Sequence, residues 1–438
     1  QQQAQQAVQA MQQAMRNQQR KRNEELERRV TEVVDALRAL PIPPQGHLID
    51  GARVPASDGA VMEVVSPIDG KALTTMARGT AADVDAAVAS ARAAFESGIW
   101  SRMAPAGRKA VLHKWADLIE RNALELAVLG VRDNGTEIAM ALKAEPFSAA
   151  GTIRYYAEAL DKVYGEIAPT DPAFLGLIHR EPVGVVGAIV PWNFPLMIGA
   201  WKLGPALAMG NSVVLKPAET ASLSLLRLAE LALEAGLPPG VLNVVTGEGA
   251  VVGEALGLSM DVDVLVFTGS GPVGRRLLEY SARSNLKRVY LELGGKSPHV
   301  IFADAPDLDK AAQIAAMGIF RNSGQVCVAG SRLLVERSIH DDFAAAVARH
   351  ASAMKVGDPL DVTTQMGAVN SERQLAQNLA FVETAAAEGG TILTGGARIL
   401  SETGGYYMAP TVVTNVAPEA TLAQKEVFGP VLAVTPFT

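Results

Sequence analysis

The strongest constraint on how this chain can fold is an alternation that sets in near residue 185. Short apolar, β-branched runs recur at Val185–Val190, Ser212–Leu215, Val241–Val245, Val262–Phe267 and Val289–Leu293. Helical patterns lie between the later ones. Leu223, Leu226, Glu230 and Leu231 share a helix that Gly236-Leu237-Pro238-Pro239 stops, and Val273–Arg283 supplies another. Strands and helices alternating at this spacing predict βαβ units and a parallel sheet. Such sheets bind ligands at the carboxyl ends of their strands, so the residues just past each run are the informative ones. From Gly295 the habit repeats around a separate centre, with strands at His299–Ala303 and Arg332–Glu336 and a helix at Asp341–Met354. The 438 residues suit two or three domains at roughly 100–200 residues each.

The chain ahead of this alternation is different. Residues 1–23 are Gln-rich, and Glu24–Leu40 carry Leu26, Val30, Val33, Val34 and Leu37 at helical spacing until Pro41-Ile42-Pro43-Pro44 ends the pattern. Acidic residues inside it argue against a mitochondrial leader, and no apolar h-region suggests secretion, so residues 1–47 read as a frayed extension, helical or disordered. Turns at Ile49-Asp50-Gly51 and Pro67-Ile68-Asp69-Gly70 bound short strands. Thr80 and Asp83 form the pattern of a capping box opening a helix to Phe95, and longer helices follow at roughly 105–133 and 146–163. Pro182–Trp201 is uncharged and long enough to span a bilayer. Its prolines, glycines and Asn193 instead suit a buried strand followed by a loop, and no membrane association is expected. The chain begins with Gln and stops just after the apolar run Val431–Pro436, which reads as a fragment lacking its last strands.

Composition removes several classes of function. With 39 Lys+Arg against 46 Asp+Glu the net charge is −7, a poor match to nucleic acid or anionic lipid. One cysteine rules out an internal disulfide and any zinc site built on two or more thiolates. The six histidines are scattered, with no H-E-x-x-H pattern, so no metal site is expected.

Four segments at strand ends carry candidate chemistry. Gly269, Ser270 and Gly274 lie in a Gly-rich turn between a strand and a helix, where free N–H groups and the helix dipole suit a phosphate; such turns also occur in purely structural roles. Lys216 and Glu219 follow another strand, and a carboxylate there could accept both hydroxyls of a ribose while repelling a 2′-phosphate. The alternative is an exposed charge pair beginning a helix. Cys327 lies among Gly, Ser and Asn residues that let a backbone approach a substrate. A free thiol is ionised to only a few per cent at neutral pH (pKa roughly 8.5), yet its thiolate is a strong nucleophile. A lone cysteine is otherwise a small buried hydrophobe. Glu292, flanked by Leu291 and Leu293 at a strand end, would have its charged form destabilised by burial, as suits a general base.

These segments, with Pro191-Trp192-Asn193-Phe194-Pro195 and Glu426-Val427-Phe428-Gly429-Pro430, stand in the order and spacing of the NAD(P)-dependent aldehyde dehydrogenase superfamily, which the chain resembles from about Leu48 to its last residue. The resemblance implies an α/β fold: a Rossmann-like cofactor domain (48–163 and 183–294), a bridging oligomerisation hairpin (164–182), and a catalytic domain (295–438) incomplete at its C-terminus. It implies that Cys327 attacks an aldehyde carbon, that Asn193 and the Cys327 backbone N–H hold the resulting oxyanion, and that Glu292 activates the water that hydrolyses a thioester. It implies NAD, with NADP possible, held by Lys216, Glu219, Gly269, Ser270, Gly274, Glu426 and Phe428, with Trp192 and Leu293 lining the same cleft. Phe194, Met197, Trp201, Val326 and Val328 correspond to the substrate tunnel, or to plain core packing.

Within the superfamily, Lys162-Val163-Tyr164-Gly165-Glu166, the run Lys287–Glu292 and Phe302–Leu308 resemble the bacterial branch acting on ω-amino, guanidino or γ-glutamylamino aldehydes of polyamine catabolism. That resemblance implies that Glu145 meets a substrate's distal cation, against the alternative of an ordinary solvated helix carboxylate. It implies a cytoplasmic homodimer or homotetramer acting on a small aldehyde. Competing readings are a CoA-acylating relative, which typically lacks the water-activating acid, and a non-catalytic member, which would lack the nucleophile or the oxyanion donor.

Overall fold

The computed structural model describes the backbone of residues 2–438 and the side chains of Gln19 and residues 21–438. Two sheets organise it. The larger has seven strands in the spatial order Arg288–Glu292, Val264–Thr268, Val185–Ile189, Ser212–Lys216, Leu242–Val244, His47–Ile49 and Ala52–Val54. The first five run parallel, and the last two join through antiparallel pairings. All five expected runs are strands, with ends shifted by up to two residues, and the central three are buried along their whole length.

Helices cover both faces. On one side Leu112, Trp115, Ile119, Ile153, Leu203, Leu207, Leu225 and Leu228 form the largest core cluster; each such buried aliphatic side chain contributes roughly 1.5–3 kcal/mol. Its two fully buried indoles keep their polar edges satisfied. Trp100 donates to the Leu207 carbonyl at 2.9 Å and Trp115 to that of Leu228 at 3.0 Å. On the other side lie the helices Ala81–Ser97 and Gly271–Ala282. The expected capping box is present: the Thr80 hydroxyl accepts from Asp83 N, and Asp83 accepts from Thr80 N.

The second sheet orders Pro298–Ile301, Arg332–Glu336, Val431–Phe437, Thr411–Thr414 and Thr391–Thr394, parallel but for the last. The helices Leu308–Phe320 and His340–Ser352 pack on one face and Glu372–Ala387 on the other. A separate antiparallel pair, Glu166–Ala168 with Gly176–Ile178, lies in the segment expected to bridge subunits.

Three expectations need correction. The helix expected over 105–133 is two helices, Pro105–Arg121 and Ala123–Asn134. Asn122 breaks it, because its side chain takes the Leu118 carbonyl at 2.7 Å and competes with the backbone ladder. Helix Ile138–Ala144 was not anticipated. The N-terminal helix runs Gln2–Ala39, and its last turns are not frayed: Val34 is buried, Val30 and Leu37 pack with it on Val128 and Val131, and Arg38 pairs with Asp358 at 2.5 Å. Three of the five stripe residues are used, since Leu26 and Val33 stay exposed.

Candidate active site

The parallel strands of the main sheet start at Val185–Ile189, step twice to one side, then return to its other side as Val264–Thr268. Between these two neighbours the winding reverses, and ligands of open α/β sheets sit at such a switch point. The first strand leads into Val190–Pro195 and the second into Thr268–Gly271, so both expected loops arrive at one crevice. Gly269 N donates to the Glu292 carbonyl at 3.0 Å, which ties in the edge strand as well. Ser270 occupies the position before the helix Gly271–Ala282 in extended conformation, its side chain making no capping hydrogen bond, and Pro272 stands in the first turn. A Cβ at Gly274 would lie 3.0 Å from Leu293 Cδ2, so the helix start and the strand end pack closely there.

Glu292 differs from expectation. Its strand is the sheet edge, so the carboxylate is exposed rather than enclosed by its apolar neighbours. Beside it the sequence reading missed Lys202, whose Nζ donates to Thr268 Oγ1 at 2.7 Å. Burial pushes this amine down to about 8, with the Glu292 charge opposing. Its position as the first charge after the uncharged run Pro182–Trp201 was the available signal.

Lys216 ends its strand 2% exposed, and its Nζ lies 3.4 Å from Glu219 Oε1. The same oxygen accepts Gly249 N at 2.5 Å. Burial lowers the Lys216 pKa, with the Glu219 carboxylate opposing. An exposed charge pair opening a helix is excluded: Lys216 is buried and the next helix starts only at Leu223.

The Cys327 loop follows the helix Leu308–Phe320 through three residues in left-handed conformation, Asn322, Ser323 and Gly324, at φ 50°, 52° and 71°. A Cβ at Gly324 would collide with the Gly429 carbonyl, so glycine lets this loop meet the Glu426–Pro430 loop. Cys327 is half-buried, and burial raises its thiol pKa, with the Glu426 and Glu292 charges adding to the rise. Asn193 is 3% exposed, and its Nδ2 donates to the Gln325 carbonyl at 2.9 Å, which brings the expected oxyanion donor to the nucleophile's own loop.

Across the crevice, Trp192 and Phe428 meet edge to face with ring centroids 5.2 Å apart. Glu426 accepts Gly295 N at 3.3 Å, and a Cβ at Gly294 would strike its carboxylate. Burial raises the Glu426 pKa and pushes Lys296 down to about 8, the opposite charge of Glu426 working against the latter.

The tunnel candidates divide. Phe194 and Val326 are buried in one cluster with Ile198, and Met197 packs against it. Trp201 and Val328 are 47% and 70% exposed, apart from that cluster. For Glu145 the structure overturns the alternative of an ordinary solvated helix carboxylate, and one of its two carboxylate oxygens caps a helix. Glu145 is 4% exposed, and its Oε2 accepts Leu196 N at 2.7 Å and Met197 N at 3.0 Å, which caps the helix Pro195–Ala208. Burial pushes it up to about 8 against these two bonds.

A thiol, a buried amide bonded to the thiol's loop and an edge carboxylate thus converge with a Gly-rich helix start and a lysine–glutamate pair. Comparison with known proteins agrees in extent. Residues 54–438 match the Aldehyde dehydrogenase family. The NADP/NAD-dependent aldehyde dehydrogenase PuuC of Escherichia coli is 49% identical over 390 residues, 89% of this chain and 78% of PuuC. The crystal structure of γ-glutamyl-γ-aminobutyraldehyde dehydrogenase from Burkholderia cenocepacia superposes with a TM-score of 0.90 at 49% identity, covering 93% of this chain and 82% of that one. An indole-3-acetaldehyde dehydrogenase solved with NAD+ gives the same TM-score and identity, over 92% and 81%. With crevice, sequence and backbone in agreement from residue 54 onward, the chain belongs to the aldehyde dehydrogenase family.

Proposed function

We propose that this chain oxidises an ω-amino, guanidino or γ-glutamylamino aldehyde to its carboxylate through a covalent adduct on Cys327. The observation that carries the mechanism is the 2.9 Å bond from Asn193 Nδ2 to the Gln325 carbonyl, two residues before the thiol. That bond uses one amide hydrogen. The other is free to meet an oxygen that gains charge as Cys327 Sγ bonds to the aldehyde carbon. A donor so placed stabilises such an oxyanion by ~2.7–4 kcal/mol. Loss of hydride from the adduct leaves an acyl thioester, and Glu292, exposed at the strand end, takes a proton from the water that releases the acid and restores the thiol.

The crevice fits a nicotinamide dinucleotide. Lys216 and Glu219 offer a donor and an acceptor to a ribose, their Nζ and Oε1 3.4 Å apart. The uncapped helix start at Ser270 suits the pyrophosphate, while Glu426, Phe428, Trp192 and Leu293 suit the nicotinamide end. Bound there, the dinucleotide supplies the hydride acceptor. The Glu219 charge favours NAD over NADP, and both are named for PuuC.

The aminoaldehyde class rests on the named relatives from Escherichia coli and Burkholderia cenocepacia. The hairpin Glu166–Ile178 exposes Ile167, Phe174, Leu175 and Leu177, an apolar surface that fits a second copy in a homo-oligomer. No described helix is long and apolar enough to cross a membrane. The test is NADH formation from a panel of cationic and neutral aldehydes, with and without CoA. Preferential turnover of cationic aldehydes without CoA is the expected result. CoA-dependent turnover would favour the acylating reading, and no NADH under any condition the non-catalytic one.

A further inference from the structure

We propose that Glu137 is a positioning residue for this reaction, acting through Asn322 to hold the Asn193 amide and the Cys327 loop in register; the idea rests on the oxyanion role proposed for Asn193. Glu137 is 4% exposed at the start of the helix Ile138–Ala144, and its Oε1 accepts Asn322 N at 3.0 Å. The preceding residue grips the other end of the same asparagine, since Thr136 Oγ1 donates to Asn322 Oδ1 at 2.7 Å. Asn322 Nδ2 then donates to the carbonyls of Asn193 and Gln325, both at 3.3 Å. The Asn193 side chain shares that Gln325 carbonyl. A continuous buried path therefore runs from Glu137 to the amide that would meet the oxyanion.

The conformation at Asn322 is what makes such a grip necessary. Asn322 and Ser323 are consecutive non-glycine residues at positive φ, a strained arrangement that persists only where surrounding groups over-determine it. Ser323 is anchored separately, its hydroxyl donating to the Gly367 carbonyl at 3.0 Å. For Asn322 the backbone N–H is held by Glu137 alone among the hydrogen bonds of the described residues. A buried acid is a costly way to hold an N–H group. Burial pushes Glu137 up to about 7 despite the bonded N–H groups of Asn322 and Gly367 and the nearby Arg321 charge. Its second oxygen, Oε2, is buried without a hydrogen bond.

A double-mutant cycle in the full chain tests whether Glu137 acts through Asn193. Glu137→Ala is expected to lower kcat about tenfold with KM changed by less than about twofold, and Glu137→Gln, which keeps an acceptor oxygen, to restore most of it. In an Asn193→Ala background Glu137→Ala should cost little more. Equal losses in both backgrounds, or a Gln variant as slow as Ala, would overturn the proposal. If Asn193→Ala alone keeps wild-type kcat, the oxyanion reading itself falls, a distinct failure. Should Glu137→Ala not fold, Thr136→Val removes the companion bond and carries the same cycle. Independently of turnover, iodoacetamide should alkylate Cys327 faster in Glu137→Ala than in wild type or Glu137→Gln; an unchanged rate counts against the idea.

Discussion

Asn193 Nδ2 donates to the carbonyl of Gln325 at 2.9 Å across 132 residues of sequence. The bond joins the turn after the central strand of one sheet to the thiol loop of the other centre. Two separately packed halves thereby present an amide and a nucleophile to one crevice. Replacing Asn193 by Ala is expected to lower kcat by two to three orders of magnitude, or ~2.7–4 kcal/mol. Steady-state kinetics with the best aldehyde of the panel would check it, and a KM effect without a kcat effect would contradict it.

The Cys327 thiol is held above the usual range by burial, with the carboxylates of Glu426 and Glu292 adding to the rise. Its alkylation by iodoacetamide should therefore rise with pH to a midpoint above the free-thiol value of roughly 8.5. Glu426→Gln removes one negative charge and should bring the midpoint down. A midpoint that stays put would mean that the Glu426 charge does not act on the thiol.

Glu145 separates a cap from a charge. Its pKa is pushed up to about 8 from 4.5, so between those values the folded state keeps a proton that the unfolded chain releases. Stability must fall as pH rises through that window. Glu145→Gln keeps an acceptor for Leu196 and Met197 and should abolish this fall, matching or exceeding wild type at pH 8. Glu145→Ala loses the cap and should be less stable by ~1 kcal/mol. The KM ratio between cationic and neutral aldehydes should not move in Glu145→Gln. Thermal melts across pH and paired KM measurements decide both points.

Lys202 and Lys296 have the opposite sign. Both are pushed down to about 8 from 10.5, chiefly by burial. Below about pH 8 both folding states hold the proton and the cost of burying the charge is borne in full. Between about 8 and 10.5 the unfolded chain binds more protons, so stability rises with pH. Lys202→Met should accordingly raise the Tm at pH 7 and flatten part of the alkaline rise. A lower Tm at pH 7 would mean that the Thr268 bond outweighs the burial cost.

The local pattern of the chain determined a good deal. Apolar, β-branched runs of four to six residues, too short for helices and separated by helical patterns, read as sheet strands, so the five parallel strands were legible to within two residues. Thr80 with Asp83 announced a helix start because both partners of a capping box lie within one turn. Cys327, Asn193 and Glu292 could be picked out as reactive types in the order of a known family.

Distances across the fold were decided by tertiary structure alone. Burial and partner depend on which strand is an edge and which loops meet, and neither is written in any short window. Glu292 has apolar neighbours in sequence yet is exposed, because its strand closes the sheet. Glu145 reads as a surface acid yet is buried, because the helix Pro195–Ala208 begins against it. Glu137, Thr136 and Lys202 drew no notice in sequence, since what sets each apart is a bond to a residue far along the chain, at Asn322 or Thr268.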